Sequence, residues 1–356
     1  MNTEKKNQHY IPKFYLRNFS YRNNDAQIGI FNIKNSFFFQ KAKLKTQGSK
    51  NFFYGHDGII EDKLSDIEGR LANVIRNIIN TESLPTKHSE EHFDLLNFVG
   101  LTHLRNPVQI ELMKQSRLAM MKEFSAILPN EKPNNHIPEI THSEAISLAF
   151  SRISNVVENM LDLDYKLLKN KTKKPFVGSD FPVVKYNKYL EAKKWKHGKT
   201  GYGNTGLQIF IPLNSKLTLV FFDSMIYKVG YKKRQICDIE NEKDIEQLNI
   251  LQIINCFDTI FFNEECQNSY MYQMFQKASK YKKANQILSY AAYSRKQNEK
   301  YDPERKKNLI VMGSTDCEIN LEIQGIKIHS GSLKVKMDSS IAQMRPLTKA
   351  IRYNRR

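Results

Sequence analysis

Apolar residues recur at three- and four-residue spacing along the first half of the chain and every second residue, or in unbroken runs, through its middle. Ile60, Leu64, Ile67, Leu71, Val74, Ile75 and Ile78 fall on one helical stripe and predict a helix from about Gly58 to Asn80. After Pro85 a long helical region runs from about Ser89 to Leu128, broken near Arg105-Asn106-Pro107, because proline disfavours helix at the residue before it. Glu131 to Glu139 is loop by its proline and asparagine content, and Thr141 or Ser143 caps a third helix reaching Asp164. Ahead of all these, Ile28 to Lys43 reads as a β-hairpin turning at Lys34-Asn35.

From Tyr165 to Phe222 the pattern becomes that of strands. LQIFIPL and LTLVFF, joined across Asn214-Ser215, predict a second hairpin. Helical spacing returns from about Glu242 to Phe262 and again from Glu265 to about Tyr281. A charged linker, KQNEKYDPERKK, then leads to an alternating tail between Asn308 and Lys336. The expectation is an α+β chain, mainly helical, with one inserted antiparallel sheet and a small C-terminal β appendage. Residues 1–294 would form the main domain and 295–356 a basic, β-rich extension.

Composition adds charge to this picture. The 356 residues carry 55 Lys and Arg against 37 Asp and Glu, a formal net charge of +18. The excess is local. Lys166 to Lys199 holds eleven lysines against Asp180 and Glu191, a net of +9, and Arg295 to Arg356 contributes a further +7. Clustered positive charge attracts polyanions, although a lysine-rich composition yields the same total without any such role. No segment has the uninterrupted apolar length of a secretory signal or a membrane span, so a cytoplasmic protein that does not enter membranes is expected. Cys237, Cys256, Cys266 and Cys317 are too widely spaced for a C-x-x-C zinc or redox pair.

The opening Gln8-His9-Tyr10-Ile11-Pro12-Lys13-Phe14-Tyr15-Leu16-Arg17-Asn18-Phe19 sets a histidine and a proline among four aromatic rings. It resembles the Q-H-Y-[VI]-P-x-x-Y-L-x-x-F signature of the family called domain of unknown function 4238. The resemblance spans roughly residues 6 to 290. It extends to a Glu-bearing helix (Glu61 and Glu68), an Arg-Pro-like element (Arg105, here followed by Asn106 before Pro107), the Ser179-Asp180-Phe181-Pro182-Val183 element and an Asn-bearing helix (Leu248-Asn249). The family implies a fold and a set of positions, not a reaction.

The chemistry must come from the residues. Pro12 fixes the bend after His9, whose neutral imidazole can serve as general base or ligand. Glu61 and Glu68, seven positions apart, project within about 20° of one another on a helix, at the edge of the apolar stripe. Carboxylates there call for a cation, either a metal or a basic side chain such as Arg70 or Arg105. Asp180 stands alone among lysines between two apolar strand pieces, where it could hold a metal or merely shape a turn. His88-Ser89-Glu90-Glu91-His92 matches a zinc-peptidase pattern, but Pro85 and Ser89 put His88 ahead of the helix, so the two imidazoles do not share a face.

These positions suggest a metal-dependent nuclease or phosphodiesterase acting on nucleic acid. Glu61, Glu68 and Asp180 would bind Mg²⁺ or Mn²⁺; His9, Asp180 and Glu68 would be catalytic; Lys174, Lys185 and Arg105 would neutralise phosphate. A role in defence against phage would suit such an enzyme, though no residue specifies one. The alternative is a non-catalytic protein that binds nucleic acid, or a protein partner through the C-terminal extension.

Overall fold

The computed structural model describes residues 6–127, 140–195, 198–284, 289–293, 309–313, 315–337 and 343–354. The predicted loop at 131–139 and the charged linker at 296–307 lie outside the described residues.

The signature segment supplies a short strand, β1 (Asn7–His9), and a one-turn helix, α1 (Lys13–Arg17), with Pro12 at its N-cap. The hairpin forms as β2 (Gln27–Asn32) and β3 (Phe37–Lys43). Their register shifts at Gly29, where a Cβ would fall 2.3 Å from the Phe262 ring, so no larger residue fits the bulge. β4 (Ser49–Asn51) returns antiparallel to β1 and sets Ser49 opposite His9.

Helices dominate the next hundred residues. α2 (Ile59–Thr81) buries Leu64, Leu71, Val74, Ile75 and Ile78, the predicted stripe. α3 (Glu90–Leu104) starts where the Ser89 side chain accepts from the His92 amide, and α4 (Pro107–Ile127) follows after the break at Arg105-Asn106. Thr141 and Glu144 form a reciprocal capping box for α5 (His142–Phe150). α6 (Ile153–Glu158) is a separate helix, and Asp164, expected to end it, already belongs to a strand.

The strands that follow are β5 (Asp164–Asn170), β6 (Gly178–Ser179) and β7 (Val184–Tyr186), then, beyond α7 (Lys188–Ala192), β8 (Gln208–Pro212), β9 (Leu217–Phe222), β10 (Tyr227–Val229) and β11 (Ile236–Ile239). α8 (Glu242–Asn255), β12 (Thr259–Phe262) and α9 (Asn268–Ala278) come next, followed by β13 (Ser289–Tyr293), β14 (Leu309–Gly313), β15 (Ile326–Ile328) and α10 (Pro346–Asn354). A five-stranded sheet has the order β11-β5-β9-β8-β7 and a four-stranded sheet the order β3-β2-β12-β6; β1–β4, β10–β15 and β13–β14 are separate pairs.

This corrects the expected fold class. The chain is mixed α+β, with 41% helical and 20% strand residues, rather than mainly helical around one inserted sheet. Nor is the five-stranded sheet purely antiparallel, since β11 runs parallel to β5. The helix expected across 242–262 ends at Asn255, and Thr259–Phe262 instead enters the four-stranded sheet between β2 and β6. Its run of β-branched and aromatic residues suits a strand buried on both faces, which periodicity alone does not separate from helix. The tail departs from the expected appendage as well. Its described strands are Leu309–Gly313, paired with β13, and Ile326–Ile328, paired with β10, while Cys317, Ile319, Leu321 and Ile323 between them are buried in the core that also contains α8 and α9.

Candidate functional site

The turn between α3 and α4 is where the motif-bearing segments meet. Arg105 ends α3 with a wholly buried side chain, and its Nη1 donates to Glu68 Oε1 at 2.6 Å. Glu61, one heptad earlier on α2, interacts with the same guanidinium, as does the Tyr54 hydroxyl. Tyr54 is fixed from the signature strand. Its hydroxyl donates to the His9 carbonyl at 3.1 Å and its amide to Gln8 Oε1 at 2.5 Å, while Gln8 Nε2 donates to the Gly55 carbonyl at 2.9 Å. His9, Tyr54, Glu61, Glu68 and Arg105 therefore form one polar cluster inside an apolar shell. Gln8 and Tyr54 were not singled out from the sequence; only their place within or beside aromatic motifs hints at them.

The cluster is electrostatically tuned. Burial works to lower the pKa of Arg105, but Tyr54, Glu68 and Glu61 outweigh it, and the guanidinium is held more firmly charged than usual. Burial raises the Glu61 carboxyl, and repulsion from Glu68 raises it further against the pull of Arg105 and Lys13. His9 is lowered to about 4, by burial first and then by the charges of Lys13 and Arg105, so its imidazole is neutral at pH 7. Among the described residues neither ring nitrogen of His9 and neither Nε nor Nη2 of Arg105 makes a well-formed hydrogen bond, although the imidazole faces the Asn7 and Lys45 backbone and the guanidinium faces Tyr54. Buried polar atoms are normally satisfied, so four loosely held ones in one cluster mark a place where a polar ligand could be bound.

Asp180 lies apart from this cluster in its bonding. Both carboxylate oxygens are occupied by backbone: Oδ1 accepts from Phe257 N at 2.7 Å, and Oδ2 from Asp258 N at 2.7 Å and Thr259 N at 2.9 Å. Burial raises its pKa to about 6 against those three donors. Its role here is to seat the start of β12. The link to Arg105 runs through the next residue, because Asn106 Nδ2 donates to the Asp180 carbonyl and Asn106 Oδ1 accepts from Val108 N, starting α4. The rest of the S-D-F-P-V segment is held by amides from one face of α8. Asn249 Nδ2 bonds the Pro175 carbonyl, Gln252 Nε2 that of Pro182 and Asn255 Nδ2 that of Phe181. At three-residue spacing these side chains bond carbonyls on either side of β6, which itself pairs with β12, and this gives the Asn-bearing helix a structural task.

The structure thus brings His9, Glu61, Glu68 and Arg105 together and ties Asp180 to backbone. Among the described residues no group of three or more His, Cys, Asp or Glu side chains is placed to hold a metal ion. Lys174 lies with its ammonium 4.9 Å from the Tyr270 ring centroid. The Lys185 ammonium sits 4.8 Å from that of Tyr202, and burial lowers its pKa. Other lysines of the +9 segment are taken up by carboxylates, Lys169 by Glu82 and Lys199 by Glu318, or by carbonyls, as Lys166 is by Val229 and Tyr231. His88 and His92 do not form a zinc pair, for His92 Nδ1 accepts from the His88 amide and its ring stacks on Tyr165.

A family model matches residues 7–265, and its description is a protein of unknown function, DUF4238. The chain belongs to the DUF4238 family. No curated protein and no solved structure matches it. The matched stretch of this DUF4238 protein takes in the whole polar cluster and α8, and stops short of α9 and the residues that follow. Among the described residues no helix is long and apolar enough to cross a membrane.

Proposed function

We propose that this DUF4238 protein is a phosphodiesterase acting on nucleic acid, with the reacting phosphate received between Arg105 and His9. The observation that carries the reading is the buried guanidinium, two of whose nitrogens are only loosely held, near a neutral imidazole in the same condition. A planar guanidinium whose donors are not fully engaged suits a phosphate oxyanion, and Glu68 at 2.6 Å keeps it oriented. His9 would take a proton from the attacking water, its basicity rising once an anion sits beside it. Glu61, already raised by burial and by Glu68, would return a proton to the leaving oxygen. Mg²⁺ or Mn²⁺ would have to be held by Glu68 with water and substrate oxygens, since Glu61 carries the proton and Asp180 is committed to backbone.

The test is to incubate the protein with single-stranded RNA and DNA in Mg²⁺, Mn²⁺ or chelator, and to compare wild type with His9→Ala and Arg105→Lys. Each substitution should reduce cleavage by about a hundredfold or more. Undiminished cleavage by both variants would sink the site. The same reading expects a cytoplasmic enzyme with a role in defence, which localisation and phage challenge of expressing cells would check.

One observation favours a second reading, a non-catalytic single-strand binder. On the edge strand β3, Phe37 and Phe39 are half exposed with rings stacked at 6.1 Å, and Lys41 and Lys43 continue on the same outward face. Exposed rings followed by lysines suit bases and phosphates in turn. Salt-sensitive binding lost in Phe37→Ala/Phe39→Ala, without cleavage by wild type, would favour it.

A further inference from the structure

Beside the polar cluster lies a cavity of about 740 Å³ that the proposed chemistry does not use. It borrows Phe53 and Pro107, neighbours of Tyr54 and of the Arg105-Asn106 turn, so the two sites are adjacent but separately lined. Cavities of roughly 300–1,000 Å³ with apolar walls and a few polar groups are the usual form of small-molecule sites. Here Val108 and Leu112 of α4 provide the apolar wall together with Phe53, and all three are buried. The same helix adds Glu111 and Gln115, which hydrogen-bond to each other at 3.1 Å and present polar edges.

Three lysines reach the cavity from other elements. Lys34, in the β2–β3 turn, is already paired with Asp258 at 2.6 Å. Lys50 of β4 has no carboxylate partner among the described residues; its ammonium lies 5.6 Å from the Phe257 ring centroid and 6.0 Å from that of Tyr10. Lys283 donates to the Ile253 carbonyl at 2.8 Å and lies 3.3 Å from Cys256 Sγ, leaving a third ammonium proton free. Neither neighbour neutralises these charges. Burial pushes the Cys256 thiol up to about 12, and it lowers His142, whose Nε2 is 2.9 Å from the Phe53 carbonyl. The walls therefore offer aromatic and aliphatic surface, two available cations and a hydrogen-bonding carboxylate–amide pair.

We propose that this cavity is a nucleotide site that takes a nucleoside monophosphate. The base would lie against Phe53, Val108 and Leu112 with its edge toward Glu111 and Gln115, and the phosphate would meet Lys50 and Lys283. A fatty acid would use the wall and the lysines but leave Glu111 facing hydrocarbon, at a desolvation cost. The proposal concerns binding and stands whether or not the His9–Arg105 cluster is catalytic.

Isothermal titration calorimetry of the full chain with AMP, GMP, CMP and UMP tests it, with inorganic phosphate, the uncharged nucleosides and decanoate as controls. At least one monophosphate should bind with Kd below about 1 mM, and phosphate or nucleoside alone about tenfold more weakly. Lys50→Glu, at an exposed position, should weaken binding about tenfold or more, and Leu112→Trp, which fills the cavity, should abolish it. Monophosphate binding that is lost in Arg105→Lys and kept in Lys50→Glu would belong to the polar cluster and overturns the assignment. If Leu112→Trp does not fold, Lys50→Glu combined with Lys283→Gln replaces it. No monophosphate binding, tighter binding of decanoate, or binding indifferent to the lysine substitutions overturns the assignment.

Discussion

Arg105 donates to Glu68 across 37 positions of sequence at 2.6 Å, from a side chain with no exposed surface to a carboxylate that keeps a quarter of its own. This pair ties the end of α3 to the middle of α2 and is the fixed point of the polar cluster. Removing one member of a buried pair leaves the other uncompensated, which typically costs more than the pair contributes.

Glu68→Ala should therefore destabilise the protein by about 2–3 kcal/mol, toward the lower end for a buried pair because Glu68 is partly solvated. The apolar double variant Arg105→Met/Glu68→Leu should recover much of that loss. Urea unfolding of the two variants gives the comparison, and equal destabilisation in both would refute the account.

His9 should make the fold acid-sensitive. Its ordinary pKa of 6.5 falls to about 4 in the folded protein, so above pH 6.5 neither state carries the proton. As pH falls through 6.5 the unfolded chain takes up a proton that the folded chain refuses, and stability is lost until about pH 4, in total about 3 kcal/mol. His92, also lowered to about 4, acts in the same window. Asp180, raised to about 6, opposes them by taking up a proton in the folded state below that pH. His9→Asn should show a shallower loss of stability between pH 6.5 and 4 than wild type, measured by denaturation at each pH.

Asp180→Ala should cost about 3 kcal/mol or more, because the amides of Phe257, Asp258 and Thr259 would be left without their acceptor. Asp180→Asn keeps one oxygen and should cost less. If Asp180 instead acted in the reaction, the Asn variant would be stable but inactive; equal activity of the folded Asn variant and wild type is the expected result.

Arg345 should prove as important to stability as any core residue. Its Nε meets both oxygens of Asp162 at 3.0 Å, its Nη1 the Asn204 carbonyl, and its Nη2 the carbonyls of Tyr202 and Asn159. Arg345→Ala should lower stability by about 3–5 kcal/mol, and Arg345→Lys should recover little because one ammonium cannot span those acceptors. Thermal melting of the two variants distinguishes this from a plain charge effect.

Much of the local structure could be read from the sequence because it is encoded locally. The α2 stripe, the Ser89 and Thr141 caps, the helix break before Pro107 and both hairpins depend on residues a few positions apart. The departures are long-range. Thr259–Phe262 becomes a strand through pairing with β2 and β6, more than 70 residues away in each case. At the site, the spacing of Glu61 and Glu68 correctly put both at the edge of the apolar stripe, and an arginine was among the cations expected to meet them. Asp180 drew attention as the lone acid among lysines. What fills its oxygens is backbone from another element, and no side-chain pattern could have announced that. The lysines of the +9 segment are likewise answered from a distance, because the acids that pair with several of them, such as Glu82 and Glu318, lie far along the chain.

The Arg345–Asp162 contact spans 183 residues, and it sets a schedule for synthesis. A ribosome reading this message must pass codon 345, and the tunnel must release that residue, before Asp162 and the carbonyls around it receive their guanidinium. Until then the nascent chain carries its helical half and its central sheet without their final clasp, exposed to proteases and holdases for the time taken to translate half the protein.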